Sequence, residues 1–177
     1  SAVAPNTQPM KDSTTLYLAP EFYQYWRNTL TRFHDDIREC IKYNQMNAEE
    51  GIPHTPFDHE LTKINLEDPP SEIKKQLAQK LKELLPDPIH RSTKIKANNA
   101  ADVYALGKTF QILLLSIKID NTYDILDDQT KEMVTRLVTN MCAINPDKRF
   151  TLQQARVLFD AYNNGRPLAS RISPGCG

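Results

Sequence analysis

The chain reads as all-α, and three observations predict it. Apolar residues recur at three- and four-residue spacing in five separate stretches. No alternating apolar–polar run makes a convincing strand. Twelve prolines stand against five glycines, which suits helices stopped by proline better than a sheet turned by glycine. A length of 177 residues predicts a single domain. Such a domain buries roughly 70% of the unfolded chain's surface.

The first stripe begins at Glu21. Phe22, Trp26, Leu30, Phe33, Ile37 and Ile41 form one apolar face, opposite Arg27, Arg32, Asp35, Asp36 and Lys42. The pattern fades near Asn47, and Gly51 followed by Pro53 ends it. Residues 52–70 hold Pro53, Pro56, Pro69 and Pro70 and read as a surface loop. Ser71 then takes the N-cap position of a second helix. Its core face is Ile73, Leu77, Leu81, Leu84 and Leu85, with Pro86 and Pro88 as the stop. Its polar face carries Lys74, Lys75, Lys80 and Lys82. From Glu72 to Lys96 there are seven Lys or Arg against three Asp or Glu. A solvated helix face accounts for this excess, and a docking site for phosphate or an acidic partner is the alternative.

The third helix is expected to begin at Asn98 or Asn99, both good caps. Val103, Leu106, Phe110, Ile112, Leu113, Leu114, Leu115 and Ile117 make it apolar almost all round, as a helix buried on every side should be. Residues 118–128 form a polar connector. A fourth helix turns Met133, Val134, Leu137, Val138, Met141 and Ile144 inward and stops at Pro146. Thr151 opens the fifth, with Gln154 three residues on to complete a capping box. Leu152, Ala155, Leu158, Phe159 and Tyr162 form its inner face. Asn163, Asn164 and Gly165 offer a left-handed C-cap. The tail from Arg166 to Gly177 reads as a disordered terminus.

Lys plus Arg equals Asp plus Glu, 22 against 22, so no global charge calls for nucleic acid or an anionic membrane. No run of about 18 apolar residues exists, so no membrane span is expected. Ser1–Met10 lacks the charged-then-apolar pattern of a signal peptide. Cys40, Cys142 and Cys176 are scattered and odd in number, which points to a reducing intracellular compartment, the cytoplasm, rather than a disulfide framework. His54, Asp58, His59 and Glu60 cluster in the proline-rich stretch, but no second histidine pair or cysteine supports a metal site there, so none is expected.

Three motifs remain. Leu16-Tyr17-Leu18-Ala19-Pro20-Glu21, Asp102-Val103-Tyr104-Ala105-Leu106-Gly107 and Asn145-Pro146-Asp147-Lys148-Arg149-Phe150-Thr151 occur in that order. Ala19-Pro20-Glu21 matches the Ala-Pro-Glu signature that closes a kinase activation segment. Thr14 to Leu18 fits the Thr-x-x-Tyr-x lead-in of Ser/Thr kinases, with Ser13 where a glycine is usual. Met133 to Thr151 resembles the stretch near the end of the same lobe. Together the motifs resemble the C-terminal lobe of a divergent eukaryotic-like Ser/Thr protein kinase.

The resemblance implies a buried Glu21–Arg149 ion pair, with arginine's planar fork gripping the carboxylate. It implies that Asp102, entering a helix whose N-terminal amides favour negative charge, accepts hydrogen bonds from a catalytic-loop backbone. Thr14 and Tyr17 would line the substrate-facing loop. Ser13, Thr14 and Thr15 are candidate phosphosites. The implied division is residues 1–21 as the end of the activation segment, 22–98 as a helical insertion, 99–163 as lobe helices and 164–177 as a tail.

The chain departs from the family in three ways. It holds no glycine-rich nucleotide loop, no Val-Ala-x-Lys, no His-Arg-Asp and no Asp-Phe-Gly, the parts that hold ATP and magnesium and supply the base. His90-Arg91-Ser92 has serine in place of the catalytic aspartate and falls in the wrong order. Glu21 and Asp102 stand about eighty positions apart, where the family has a short connection. The gap from Gly107 to Arg149 is short, so the helix that usually follows the central one is reduced within 118–128.

The expectation is therefore a lobe that anchors the activation segment and docks protein substrate. These 177 residues hold no catalytic residue and no cofactor, and a parent kinase would carry ATP and magnesium on other residues. The expected partners are that remaining part of the kinase domain and a protein substrate or regulator, the latter on residues 22–98. A pseudokinase-type or unrelated all-α interaction module is the alternative.

Overall fold

A computed structural model of the chain describes residues 19–20, 34–84 and 91–165. Every regular element among the described residues is helical, and none is a strand. In chain order these are α1 (His34–Glu49), α2 (Pro56–Leu61), α3 (Pro70–Leu84), α4 (Arg91–Ile119), a 3-10 turn (Tyr123–Ile125), α5 (Asp128–Met141) and α6 (Leu152–Asn164). The expected stripe from Phe22 to Phe33 lies outside the described residues, as do Leu85, Pro86, Pro88, His90, Cys176 and the tail.

Local chemistry sets the boundaries. After α1, Gly51 takes a φ of 72°, which glycine adopts without a Cβ penalty. The Gly51 amide then donates to the Ala48 carbonyl at 3.2 Å and the Ile52 amide to the Asn47 carbonyl at 2.9 Å. That is the Schellman pattern. It recurs after α4, where Asn121 at φ 63° takes glycine's place and Thr122 donates to the Ile117 carbonyl at 2.8 Å. Thr151 and Gln154 form the expected reciprocal capping box at the start of α6.

The structure corrects several sequence expectations. Residues 52–70 are not a surface loop. Ile52, Thr55, Phe57, Asp58, Leu61 and Ile64 are buried, and α2 runs through their middle. Thr55 and Asp58 form a second capping box with Pro56 at the first helical position. A single turn and a half is too short to show a 3.6-residue period.

Helix α3 starts at Pro70, one residue before the expected Ser71 cap, with the Pro69 carbonyl accepting from Glu72 and Ile73. Helix α4 starts at Arg91, so Asn98 and Asn99 lie inside it; good caps are only weakly disfavoured in a helix interior that tertiary packing holds. Helix α5 ends at Met141 rather than at Pro146. Gly165 has a φ of −79°, so no left-handed cap closes α6.

Three apolar clusters hold the elements together. The first joins α1, α2 and α3 through Ile41, Phe57, Leu61, Ile64, Ile73, Leu77 and Leu81. The second gathers Ala19, Ile52, Tyr104, Leu114, Leu115, Tyr123, Val138 and Cys142 around α4. The third joins α4, α5 and α6 through Val103, Met133, Leu137, Met141 and Ala155. Helix α4 enters two of the three, so it is the axis of the core, as its composition predicts.

It is not buried on every side, however. Leu106 and Leu113 are exposed, Leu113 by 55%, while Lys108 and Gln111 are inside. Asn99–Ile119 is long and apolar enough to cross a membrane by length and composition alone. In this fold the same stretch buries Lys108 and Gln111 against residues of α1 and α2. On α6, Ala155 is inward as expected, but Leu152 and Phe159 are exposed.

Gly107 lets α4 and α5 approach closely. A Cβ there would lie 2.6 Å from the Cys142 Sγ and 2.9 Å from the Met141 Cβ. Gly107→Ala is expected to lower the unfolding free energy by about 1–3 kcal/mol, the usual range for overpacking a filled core. Urea denaturation measures it, and an unchanged midpoint would contradict the close approach.

Candidate functional site

The turn after α5 places Arg149, which the third motif contains. The Asn145 side chain accepts from the Asp147 amide at 2.9 Å, and its carbonyl accepts from Lys148 at 3.0 Å. This Asx-type turn reverses the chain and sends Arg149 inward. Arg149 is 4% exposed. Its Nε donates to the Ala143 carbonyl at 2.9 Å, its Nη1 to the Ala100 carbonyl at 2.9 Å and its Nη2 to the Ile144 carbonyl at 3.3 Å. The guanidinium carbon lies 5.1 Å from the centre of the Tyr104 ring, within cation–π range.

Tyr104 is itself buried and packs in the same cluster as Ala19. Ala19 of the first motif and Tyr104 of the second therefore share one buried cluster, and Arg149 of the third lies over the Tyr104 ring.

A second cation, Lys108, lies 5.6 Å from the Tyr104 ring centre. Its side chain and that of Asp58 are each only 1% exposed. The Lys108 Nζ donates to Asp58 Oδ1 at 3.0 Å, to Asn44 Oδ1 at 3.0 Å and to Gln111 Oε1 at 3.1 Å. An ammonium has three N–H donors, and all three are used. Gln111 in turn donates to the Pro53 carbonyl at 2.9 Å, and Asn44 to the Cys40 carbonyl at 2.9 Å. Burial, the largest single influence, pushes the Lys108 ammonium down; the Asp58 carboxylate with smaller contributions from Cys142 and Cys40 together outweigh it, and the net direction is up. Lys108 stays charged and has no donor left for a ligand, so its role here is to hold α1, α2 and α4 together.

Of the other residues singled out in the sequence, Asp102 sits on the exposed face of α4, well inside the helix and not at its N-terminus. The amides of the first turn therefore do not account for it, which corrects the helix-entry expectation. Ser13, Thr14, Thr15, Tyr17 and Glu21 lie outside the described residues, and with them the implied Glu21–Arg149 pair.

Asp58 of the histidine-rich stretch is committed to Lys108, and Glu60 pairs with Lys63 at 2.9 Å and Lys80 at 3.2 Å. His54 has its Nδ1 2.8 Å from the Ile52 carbonyl and stacks on His59 with ring centres 6.0 Å apart. Among the described residues no group of three or more His, Cys, Asp or Glu is placed to hold a metal ion.

Lys108 and Gln111 were not singled out from the sequence, and Asp58 only as a member of the histidine-rich stretch. The signal available was a lysine and a glutamine three residues apart in the mostly apolar stretch from Val103 to Ile117, which places both on one face. Such a pair in a buried helix needs a counter-charge, and the lone aspartate in Thr55-Pro56-Phe57-Asp58 supplies it.

Burial pushes the Cys142 thiol up from 9.0 to about 12. An unfolded thiol gives up its proton near 9.0, so between there and about 12 the unfolded state binds fewer protons and stability falls as pH rises. The raised Lys108 acts in the same direction: its contribution is complete below the ordinary lysine value and is lost as pH climbs through its elevated one. The thermal midpoint is expected to fall steadily above pH 9, and less steeply in Cys142→Ala; equal slopes would contradict the thiol's share.

Compared with protein-family models, with curated proteins and with solved structures, the chain matched none.

Proposed function

We propose that this chain is the C-terminal lobe of a divergent Ser/Thr protein kinase. In this reading it fixes the end of the activation segment and docks protein substrate. Transfer of the ATP γ-phosphoryl to a protein hydroxyl would use ATP, magnesium and a catalytic loop held on residues that these 177 do not include. The reading is carried by one observation: Ala19 and Tyr104 share a buried cluster and Arg149 lies over the Tyr104 ring, each residue coming from a different kinase-like motif. Chance motif matches on an unrelated helical chain would have no reason to converge.

Arg149 is the anchor, with Glu21 as its proposed carboxylate partner. Asp102, exposed on α4, is where a catalytic-loop backbone would be received. Thr14 and Tyr17 would face substrate, with a preference for Ser/Thr acceptors. Residues 22–98 form the insertion. A non-catalytic interaction module is the second reading, favoured by the exposed Leu152, Val157 and Phe159 on α6.

Two measurements test this. Arg149→Ala is expected to lower stability by about 3–5 kcal/mol, because it strands buried partners, and Arg149→Lys to recover only part of the loss. A thermal midpoint equal to the parent's would remove the anchor. The coding sequence upstream of Ser1 is expected to encode the lysine, His-Arg-Asp and Asp-Phe-Gly residues, and the longer chain to phosphorylate Ser/Thr peptides in preference to Tyr peptides. An upstream sequence without them, or a longer chain that binds protein but transfers no phosphate, would favour the interaction module.

A further inference from the structure

The part of the proposed insertion that the structure describes before α4 shares a buried cluster with residues of the motifs. Ile52, just after the α1 cap, is buried in the same cluster as Ala19 and Tyr104. The next residue, Pro53, has its carbonyl held at 2.9 Å by Gln111 of α4. Five residues further on, Asp58 holds Lys108, one turn from Tyr104 on the same helix. Asn44 of α1 holds Lys108 from the other side. The Schellman turn at Gly51 fixes the direction in which the chain leaves α1, and so where Ile52 lands.

We infer that the stretch from α1 to α2 is an internal clamp whose Ile52 holds the Ala19–Pro20 segment against Tyr104 of α4, with Gln111, Lys108 and Asp58 locking its position. The insertion would then be a positioning device for the activation-segment end rather than an appended module. Its name as such rests on the kinase-lobe reading, whereas the clamp itself stands on the geometry. Ile52 and Gln111 are positioning residues, since neither would touch a reacting atom.

The test follows alanine methyl groups by NMR in the 177-residue protein. Ala19 reports on the second cluster and Ala155 on the third. Ile52→Ala is expected to move the Ala19 methyl toward its random-coil position and raise its mobility, leaving Ala155 in place. Leu137→Ala, a cavity of similar kind in the third cluster, should do the reverse. Ile52→Val, a smaller change, should move Ala19 more than Ala155 if Ile52→Ala unfolds the whole chain. An Ala19 methyl that is mobile in the parent, unmoved by either Ile52 variant, or moved as much by Leu137→Ala overturns the clamp. None of these results bears on phosphotransfer, so failure of the clamp and failure of the kinase reading are separable.

Discussion

The buried Lys108–Asp58 pair is the constraint on which the rest of this fold depends. Taking an ammonium and a carboxylate out of water costs several kcal/mol per ion, and only near-complete hydrogen bonding offsets it. Here Asn44, Gln111, Thr55 and the Pro53 carbonyl complete the network. Asp58 has two duties at once. It closes the α2 capping box with Thr55 and it neutralises Lys108. The start of α2 is therefore tied to a charge on a helix some fifty residues later in the chain. A slip of either element would strand a charge in the interior.

From that weld the remaining packing follows. With α4 fixed against α1 and α2, its neighbouring side receives α5, and Gly107 allows the approach. Tyr104 then has two cations within about 6 Å of its ring centre, Lys108 of the weld and Arg149 from the turn after α5. The ring face is electron-rich, so it favours both without adding a carboxylate to the interior. The turn at Asn145 delivers Arg149 to backbone carbonyls from two elements, which ties the end of α5 to the first half of α4. The proposed kinase-lobe function needs such a frame, in which the segment end is held by rigid elements while an exposed α4 face is available to another part of the protein.

Much of this was legible in the sequence, and the rest was hidden for identifiable reasons. The helices with long apolar stripes, α3, α5 and α6, follow from Leu77, Leu137 and Ala155 and their neighbours at 3.6-residue spacing. Gly51 and Thr151 announced their turn and cap. Helix α2 did not announce itself, because six residues cannot display a period and four prolines nearby read as loop. The inward Lys108 was masked by the very apolarity of its helix, since lysine is almost never fully buried unless paired. Its partner lies far away in sequence, and long-range ion pairs leave no local pattern. The exposure of Leu113 and Phe159 was equally invisible, because periodicity says which residues share a face and not whether anything covers it.

A double-mutant cycle on Lys108→Met and Asp58→Leu tests the weld most directly. Each single substitution leaves the other charge buried and is expected to cost about 3–5 kcal/mol of unfolding free energy. The double substitution, which removes both charges in favour of apolar groups of similar size, should cost clearly less than the sum and come close to the better single variant or above it. Two small, additive effects would mean that the pair is not what holds α1 and α2 to α4, and the account would fail at its centre.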